Sequence, residues 1–145
     1  MTAPEAADLV GLLPHRPPFL FVDEVERCTP GASCLARYRV TGAESFLAGH
    51  FPGNPLVPGV IQLEALAQVG AIAVLADPRY ADRLPLFGGV EKARFRRLVR
   101  PGDELVLDVV IERLSNRGGW GVAKATVDGA TVCEARIFFA FPPAG

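Results

Sequence analysis

Residues 60–76, VIQLEALAQVGAIAVLA, form an apolar segment whose single charged side chain is Glu64. A helix that is apolar on nearly every side must be surrounded by protein or by lipid. Gln62, Glu64 and Gln68 interrupt the segment, which leaves it short of the ~20 clean apolar residues that a bilayer span requires. We therefore predict a buried helix around which the rest of the chain packs, and no membrane partner.

Glu64 and Gln68 lie four residues apart and share one face of this helix. A charged, isolated carboxylate is costly to bury, so this face must meet a cavity, a partner group or another subunit. Gln68 has two interpretations of equal weight: it orients Glu64, or it forms hydrogen bonds within the core.

The loop before the helix, GHFPGNPLVPG, carries His50, one of only two histidines in the chain. Its three prolines restrict φ and stiffen the loop, and Pro52-Gly53 suits the centre of a type II turn. A rigid loop can hold an imidazole within the tolerance that proton transfer demands. At Gly59, where the helix opens, unpaired N–H groups can stabilise a developing oxyanion.

This combination of a base, an oxyanion donor and a buried carboxyl group suits removal of a proton next to a carbonyl, with an acid assisting a leaving group. From the residues alone, a rigid turn with a surface histidine and a hydrogen-bonded core glutamate is an equally open alternative. The second histidine, His15, lies in a PHR turn beside prolines. We predict that it is bonded to backbone and has no catalytic role.

The remainder of the chain predicts an α+β fold, with an antiparallel sheet packed on the long helix. A short amphipathic helix is predicted over residues 4–12, and Asp128-Gly129 is the strongest hairpin signal. The last four strands are expected to form a consecutive meander. The length of 145 residues, without a repeat or linker, predicts a single domain over 1–145. Strands are predicted over residues 19–27, 33–41, 86–99, 104–114, 119–127 and 130–141.

Composition argues against several classes of function. The net charge of −1 and the lack of an aromatic stacking motif disfavour nucleic acid as a partner. The three cysteines lack CxxC spacing and the two histidines lack HExxH spacing, which favours reduced thiols and no metal. No phosphate-cradling glycine loop is found, so we predict no nucleotide and no cofactor. The N-terminus lacks the basic region of a signal peptide, so a cytoplasmic location is expected.

The stretch GHFPGNPLVPGVIQLEALAQVG resembles the signature of the 3-hydroxyacyl-[acyl-carrier-protein] dehydratases of the FabZ type, which have the hot-dog fold. Three further stretches, LLPHRPPFLFVDEV, FGGVEKARFRRLVRPGDEL and KATVDGATVCEARIFFAF, extend the resemblance over almost the whole chain. It implies that His50 and Glu64 are the catalytic pair and that the Gly59 amide binds the thioester carbonyl. Related dehydratase/isomerases have aspartate where this chain has Glu64, which favours dehydration without isomerisation. Pro17 stands where the family commonly has an aromatic residue.

The resemblance implies dehydration of a (3R)-3-hydroxyacyl-[acyl-carrier-protein] to the trans-2-enoyl form, in fatty-acid or polyketide biosynthesis. It also implies a homodimer, or a trimer of dimers. Because Glu64 lies well inside the helix and His50 in the loop before it, we expect a twofold axis to let His50 of one chain face Glu64 of the other. A basic strand containing Lys92, Arg94 and Arg96 is either a solvated face or a docking patch for the carrier protein. Hot-dog proteins include acyl thioesterases and non-catalytic acyl-binding modules, so both functions stay open as alternatives.

Overall fold

A computed structural model describes residues 9–143 of the chain. Within this range one α-helix, α1, runs from Gly59 to Leu75 and packs against a six-stranded antiparallel sheet. Short 3-10 turns lie at Val10–Leu12, Ser45–Leu47 and Pro78–Tyr80. The strands are β1 (Glu24–Thr29), β2 (Ser33–Arg39), β3 (Leu86–Phe95), β4 (Glu104–Ser115), β5 (Gly118–Val127) and β6 (Ala130–Ala140).

The strand order is β1-β2-β4-β5-β6-β3, so the predicted meander of the last four strands is wrong for β3. Only β4, β5 and β6 follow one another, and β3 pairs with β6 at the edge of the sheet. Turn residues predict which consecutive strands can form hairpins. They do not predict the position of β3, which follows α1 and lies at the edge of the sheet beside β6. The hairpin between β5 and β6 is confirmed, with positive φ at both Asp128 and Gly129.

Two predicted strand boundaries differ from the structure by four residues or more. The strand predicted over 19–27 begins only at Glu24, because the backbone N–H of Phe21 donates to the Gln68 side chain on α1 and not to a neighbouring strand. The strand predicted over 86–99 ends at Phe95. Most of the helix predicted over 4–12 lies outside the described residues; inside them, Leu9 is α-helical and Val10–Leu12 form the first 3-10 turn.

The sheet wraps around α1, as the apolar segment predicted. Every helix residue from Gln62 to Leu75 except Glu64 is buried, and α1 contacts β2 to β6. The ring of Phe139 on β6 occupies the space that a side chain at Gly70 would need, which lets the helix and the sheet approach closely. The α+β fold is therefore confirmed. Among residues 9–143, no helix is long and apolar enough to cross a membrane.

Candidate active site

The loop before α1 holds His50 through both its backbone and its ring. Phe51 and Asn54 exchange two backbone hydrogen bonds, and Gly53 between them has a φ of 73°, as predicted for the glycine of a type II turn. The Leu56 N–H donates to the His50 carbonyl, and the His50 Nδ1 lies 2.9 Å from the Leu56 carbonyl oxygen. Because a carbonyl can only accept, Nδ1 carries the proton, and Nε2 has a lone pair with which to act as a base.

Gly59 opens α1 with an N–H group that has no acceptor inside the helix. Pro58 precedes it and provides no side-chain cap. The Phe95 ring, at the end of β3, lies over this position, and a Cβ atom at residue 59 would come within 2.7 Å of it. Glycine therefore permits the close approach of β3 to the positive end of the helix dipole.

His50 and Gly59 line the same cavity, which has a volume of about 400 Å³. Its wall is largely apolar and very exposed in the single chain: Val60 is 70% exposed, Leu98 63% and Phe95 51%. Apolar side chains grouped in this way on a surface mark a site that a ligand or a partner covers.

Glu64 lies farther along α1, in a second cavity of about 100 Å³. The buried Gln68 donates from Nε2 to Glu64 Oε1 at 3.2 Å and to the Phe19 carbonyl at 3.1 Å. The Oε1 atom of Gln68 accepts a hydrogen bond from the Phe21 N–H at 2.8 Å. These three contacts fit one orientation of the amide, so Gln68 presents an N–H donor to Glu64. His15 Nε2 lies 3.5 Å from the same Glu64 oxygen.

His50 and Glu64 are therefore in different places within one chain. Gly59 lines the same cavity as His50, and Gln68 lines the same cavity as Glu64. Within residues 9–143 the two cavities have no lining residue in common. The five residues from Gly59 to Glu64 advance the helix by ~7.5 Å, so the carboxylate lies well past the helix mouth.

The environment of His15 differs from the prediction. Its Nδ1 atom is buried and has no hydrogen-bond partner among the described residues, so the predicted ring-to-backbone bond is wrong. The contact between His15 and Glu64 could not be predicted from residue spacing, because the two residues are far apart in the chain. The available signal was the proline two residues after each histidine, which is Pro17 after His15 and Pro52 after His50.

The basic cluster of Lys92, Arg94 and Arg96 is exposed but irregular. A bulge interrupts β3 before Arg94, and Lys92 within it has a φ of 56°. Arg94 is in register with Glu134 on β6, and Arg96, just past the end of β3, forms an ion pair with that same carboxylate. Docking of a carrier protein on this cluster stays a prediction.

The rest of the described chain offers few other reactive groups at these cavities. Residues 9–143 contain no group of three or more His, Cys, Asp or Glu side chains that could hold a metal ion. All three cysteines are free, and in this part of the chain none of them lines either cavity. Burial raises the pKa of Cys133 to about 11, which keeps that thiol protonated at neutral pH.

The sequence is similar to known proteins over most of its length. The model of a FabA-like domain matches residues 13–136. The 3-hydroxyacyl-[acyl-carrier-protein] dehydratase FabZ of Oenococcus oeni is 50% identical over 134 residues, which cover 92% of this chain and 96% of the relative. The protein of the same name from Chloroflexus aggregans is 48% identical over 133 residues, 92% of each chain. The chain belongs to the FabZ-type dehydratase family. The resemblance found in the sequence is thereby confirmed.

Two solved structures show the fold of this FabZ-type chain independently. The dehydratase heterocomplex ApeI:P from Xenorhabdus doucetiae superposes with a TM-score of 0.78 at 16% identity, over 93% of this chain and 91% of its own. A mutant thioesterase from Pseudomonas aeruginosa superposes with a TM-score of 0.74 at 18% identity, over 99% and 97%. At these identities the likeness concerns the fold alone, and it confirms the hot-dog architecture.

Proposed function

We propose that this protein removes water from a (3R)-3-hydroxyacyl group carried on acyl carrier protein and forms the trans-2-enoyl thioester. The observation that carries the proposal is the near-full-length similarity, at 50% identity, to a dehydratase named for this substrate. The geometry of the chain supports it, because a neutral His50 ring with Nδ1 facing the Leu56 carbonyl has its Nε2 lone pair free, in the cavity that Gly59 also lines. The carrier-bound substrate and the three free cysteines are consistent with a cytoplasmic location.

In the proposed mechanism the thioester carbonyl accepts a hydrogen bond from the Gly59 N–H, and the positive end of α1 stabilises the charge that develops on the oxygen. His50 Nε2 then removes the C2 proton. The electron pair of the C2–H bond forms the C2=C3 double bond as the C3–O bond breaks. Glu64, directly or through a water molecule, gives its proton to the departing hydroxyl, which leaves as water. Nothing is oxidised or reduced, so the reaction requires no redox cofactor.

The two halves of this machinery must come from two chains, and β3 suggests how. Leu86 and Phe87, at the start of β3, line the Glu64 cavity, whereas Phe95, at its end, lines the His50 cavity. β3 is the last strand at its edge of the sheet. If two copies of β3 pair antiparallel about a twofold axis, the start of one strand lies beside the end of the other. The His50 cavity of one chain then meets the Glu64 cavity of its partner.

The exposed apolar side chains support the same arrangement. They lie at both cavities, and a twofold interface would remove them from water, which stabilises an assembly by about 25 cal/mol per Å² of apolar surface. We therefore propose a homodimer with two equivalent sites, and a trimer of such dimers as the further assembly. The exposed residues are Phe51, Val60, Phe95 and Leu98 at the His50 cavity, and Leu84, Leu86 and Phe87 at the Glu64 cavity.

The carrier protein would dock on Lys92, Arg94 and Arg96. These exposed residues lie next to Phe95, which lines the His50 cavity, so an acyl group carried on a docked partner can reach that cavity. Opposite charge guides such an encounter and makes it sensitive to salt.

The purified protein and a 3-hydroxyacyl thioester test the reaction directly. We expect absorbance from the conjugated enoyl thioester to rise while no free thiol is released. Release of thiol without the enoyl signal would identify an acyl thioesterase and contradict the proposal. Saturable binding without either signal would identify an acyl-binding module. Substrates of increasing acyl length, measured in the same assay, would then give the chain-length preference.

A further inference from the structure

We infer that His15 is a positioning residue for Glu64, donating an N–H from Nε2 to the same carboxylate oxygen that Gln68 contacts. The inference rests on the proposed dehydratase function. Glu64 would be held by two side chains, one from its own helix and one from the segment that precedes β1.

The contacts around Glu64 are asymmetric. Its Oε1 accepts from Gln68 at 3.2 Å and lies 3.5 Å from His15 Nε2. Both nitrogen atoms contact the same Glu64 oxygen. With two nitrogen atoms at Oε1, Oε2 is the oxygen left to exchange a proton with the substrate hydroxyl.

The second ring nitrogen determines which tautomer His15 adopts. Its Nδ1 is buried and has no hydrogen-bond partner among residues 9–143. A proton placed there would be a buried donor without an acceptor, which is unfavourable. The proton of the neutral ring therefore belongs on Nε2, where Glu64 can receive it. His50 is the reverse case, because its Nδ1 faces the Leu56 carbonyl.

The segment around His15 is anchored well enough to hold a ring in place. Leu13 is buried in the core, and Arg16 Nη1 donates to the carbonyls of both Leu13 and His15. The other end of the segment is tied to α1, where Gln68 contacts the Phe19 carbonyl. The ring is only partly exposed, with 26% of its side chain accessible.

This contact matters most after proton transfer. When Glu64 has given its proton to the departing hydroxyl, it is a carboxylate, and a hydrogen bond to a charged group is stronger than one to a neutral group. A 3.5 Å separation is long for a hydrogen bond, and we expect it to shorten when charge develops on Glu64, since catalytic contacts commonly tighten in the reacting complex.

A matched pair of variants separates donation from packing. His15→Gln keeps an N–H donor near the position of Nε2, whereas His15→Met has similar size and no donor. We expect the Met variant to lose about ten- to a hundredfold in kcat, with KM nearly unchanged, because a hydrogen bond to a charged group is lost. The Gln variant should recover most of that loss. Equal losses in both variants, or no loss in the Met variant, would overturn the inference.

The two histidines also give a readout that requires no variant to fold. In protein labelled with ¹⁵N at histidine, only two rings contribute signals. We expect a neutral Nε2–H ring for His15 and a neutral Nδ1–H ring for His50. An Nδ1–H tautomer at His15 would overturn the inference. Enoyl formation by the wild-type enzyme, measured first, distinguishes that failure from failure of the proposed function, which would remove the inference with it.

Discussion

His50 and Glu64 carry the proposed chemistry, and their surroundings give them different roles. The carbonyl of Leu56 keeps the proton of the neutral His50 ring on Nδ1, so Nε2 can accept one. Glu64 faces the N–H donor of Gln68 and can serve as the acid. The role of His50 depends on the Leu56 carbonyl, and that of Glu64 on its neighbours Gln68 and His15.

We predict that His50→Ala and Glu64→Gln each lower kcat by about 10²- to 10⁴-fold, the range typical of a general acid or base. Because the two residues act in one step, the double variant should be little slower than either single one. Circular dichroism and thermal melting should show all three proteins folded. A His50→Ala enzyme with near-normal turnover of a 3-hydroxyacyl thioester would refute the assignment of the base.

Glu44 stabilises the segment that leads to His50. Its carboxylate accepts the backbone N–H groups of Thr41 and Gly42 and the Tyr38 hydroxyl. Partial burial acts to raise the pKa of Glu44, but the backbone donors outweigh it and hold the pKa below its ordinary value of 4.5. Since the folded pKa is lowered, this stabilisation is present above the unfolded pKa and is lost as the pH falls through the folded one.

Glu44→Gln should therefore destabilise the protein at pH 7 by about 1.5 to 3 kcal/mol, the range for hydrogen bonds to a charged group. The difference from wild type should shrink as the pH falls below 4.5, because the wild-type carboxyl group is then protonated as well. Urea unfolding at a series of pH values measures this. A difference that stays constant from pH 7 to pH 3 would show that the charge of Glu44 is not the cause.

At the scale of elements, the start of α1 and the end of β3 constrain each other through Gly59 and Phe95. Helix propensity alone would favour alanine over glycine at residue 59. A Cβ atom at residue 59 would lie only 2.7 Å from the Phe95 ring, which disfavours alanine there. We predict that Gly59→Ala displaces the ring and lowers kcat/KM by about 10- to 100-fold, as small misplacements in active sites do. Gly11→Ala is the control, because a Cβ atom there meets open space. Unchanged kcat/KM in Gly59→Ala would exclude a need for this close approach.

The basic cluster at β3 predicts a salt-dependent effect on the carrier-bound substrate. Arg94→Glu should raise KM for that substrate at low salt, and added salt should reduce the effect. The control is Arg27→Glu, which makes the same charge change on exposed β1 at the opposite edge of the sheet. Turnover of a small thioester should be spared in both variants. Equal loss on both substrates in Arg94→Glu would mean that Arg94 supports the strand or the site itself.

Local patterns predicted the elements well. The apolar run 60–76 gave a helix within one residue at each end, and Asp128-Gly129 gave the hairpin, because both signals depend on neighbouring residues alone. The turn at Gly53 and the shared face of Glu64 and Gln68 follow from local geometry in the same way.

Contacts between distant parts of the chain were not predicted. The pairing of β3 with β6 depends on how α1 packs on the sheet, because α1 precedes β3 in the chain. No local sequence signal specifies this packing. β1 starts late because Gln68 takes the hydrogen bond of Phe21. His15 was misjudged for a related reason, since its partner Glu64 lies on another element and only folding brings the two together.

At the scale of the whole molecule, the single chain holds half of each proposed site. His50 and Glu64 line separate cavities, and exposed apolar side chains surround both. Twofold pairing of β3 would bring each cavity to its complement in the partner. The rigidity of the proline loop then has a reason, because its imidazole must be presented across a subunit boundary.

Complementation between two inactive variants tests whether His50 and Glu64 meet across a twofold axis. The inactive His50→Ala and Glu64→Gln proteins are mixed in equal amounts, unfolded, refolded together and assayed for enoyl formation. Half of the dimers would be mixed, and each mixed dimer would have one intact and one doubly defective site. We predict recovery of about a quarter of wild-type activity. If the mixture stays as inactive as its parents although subunit exchange is demonstrated, His50 and Glu64 do not meet across a twofold axis, and the shared-site account is wrong.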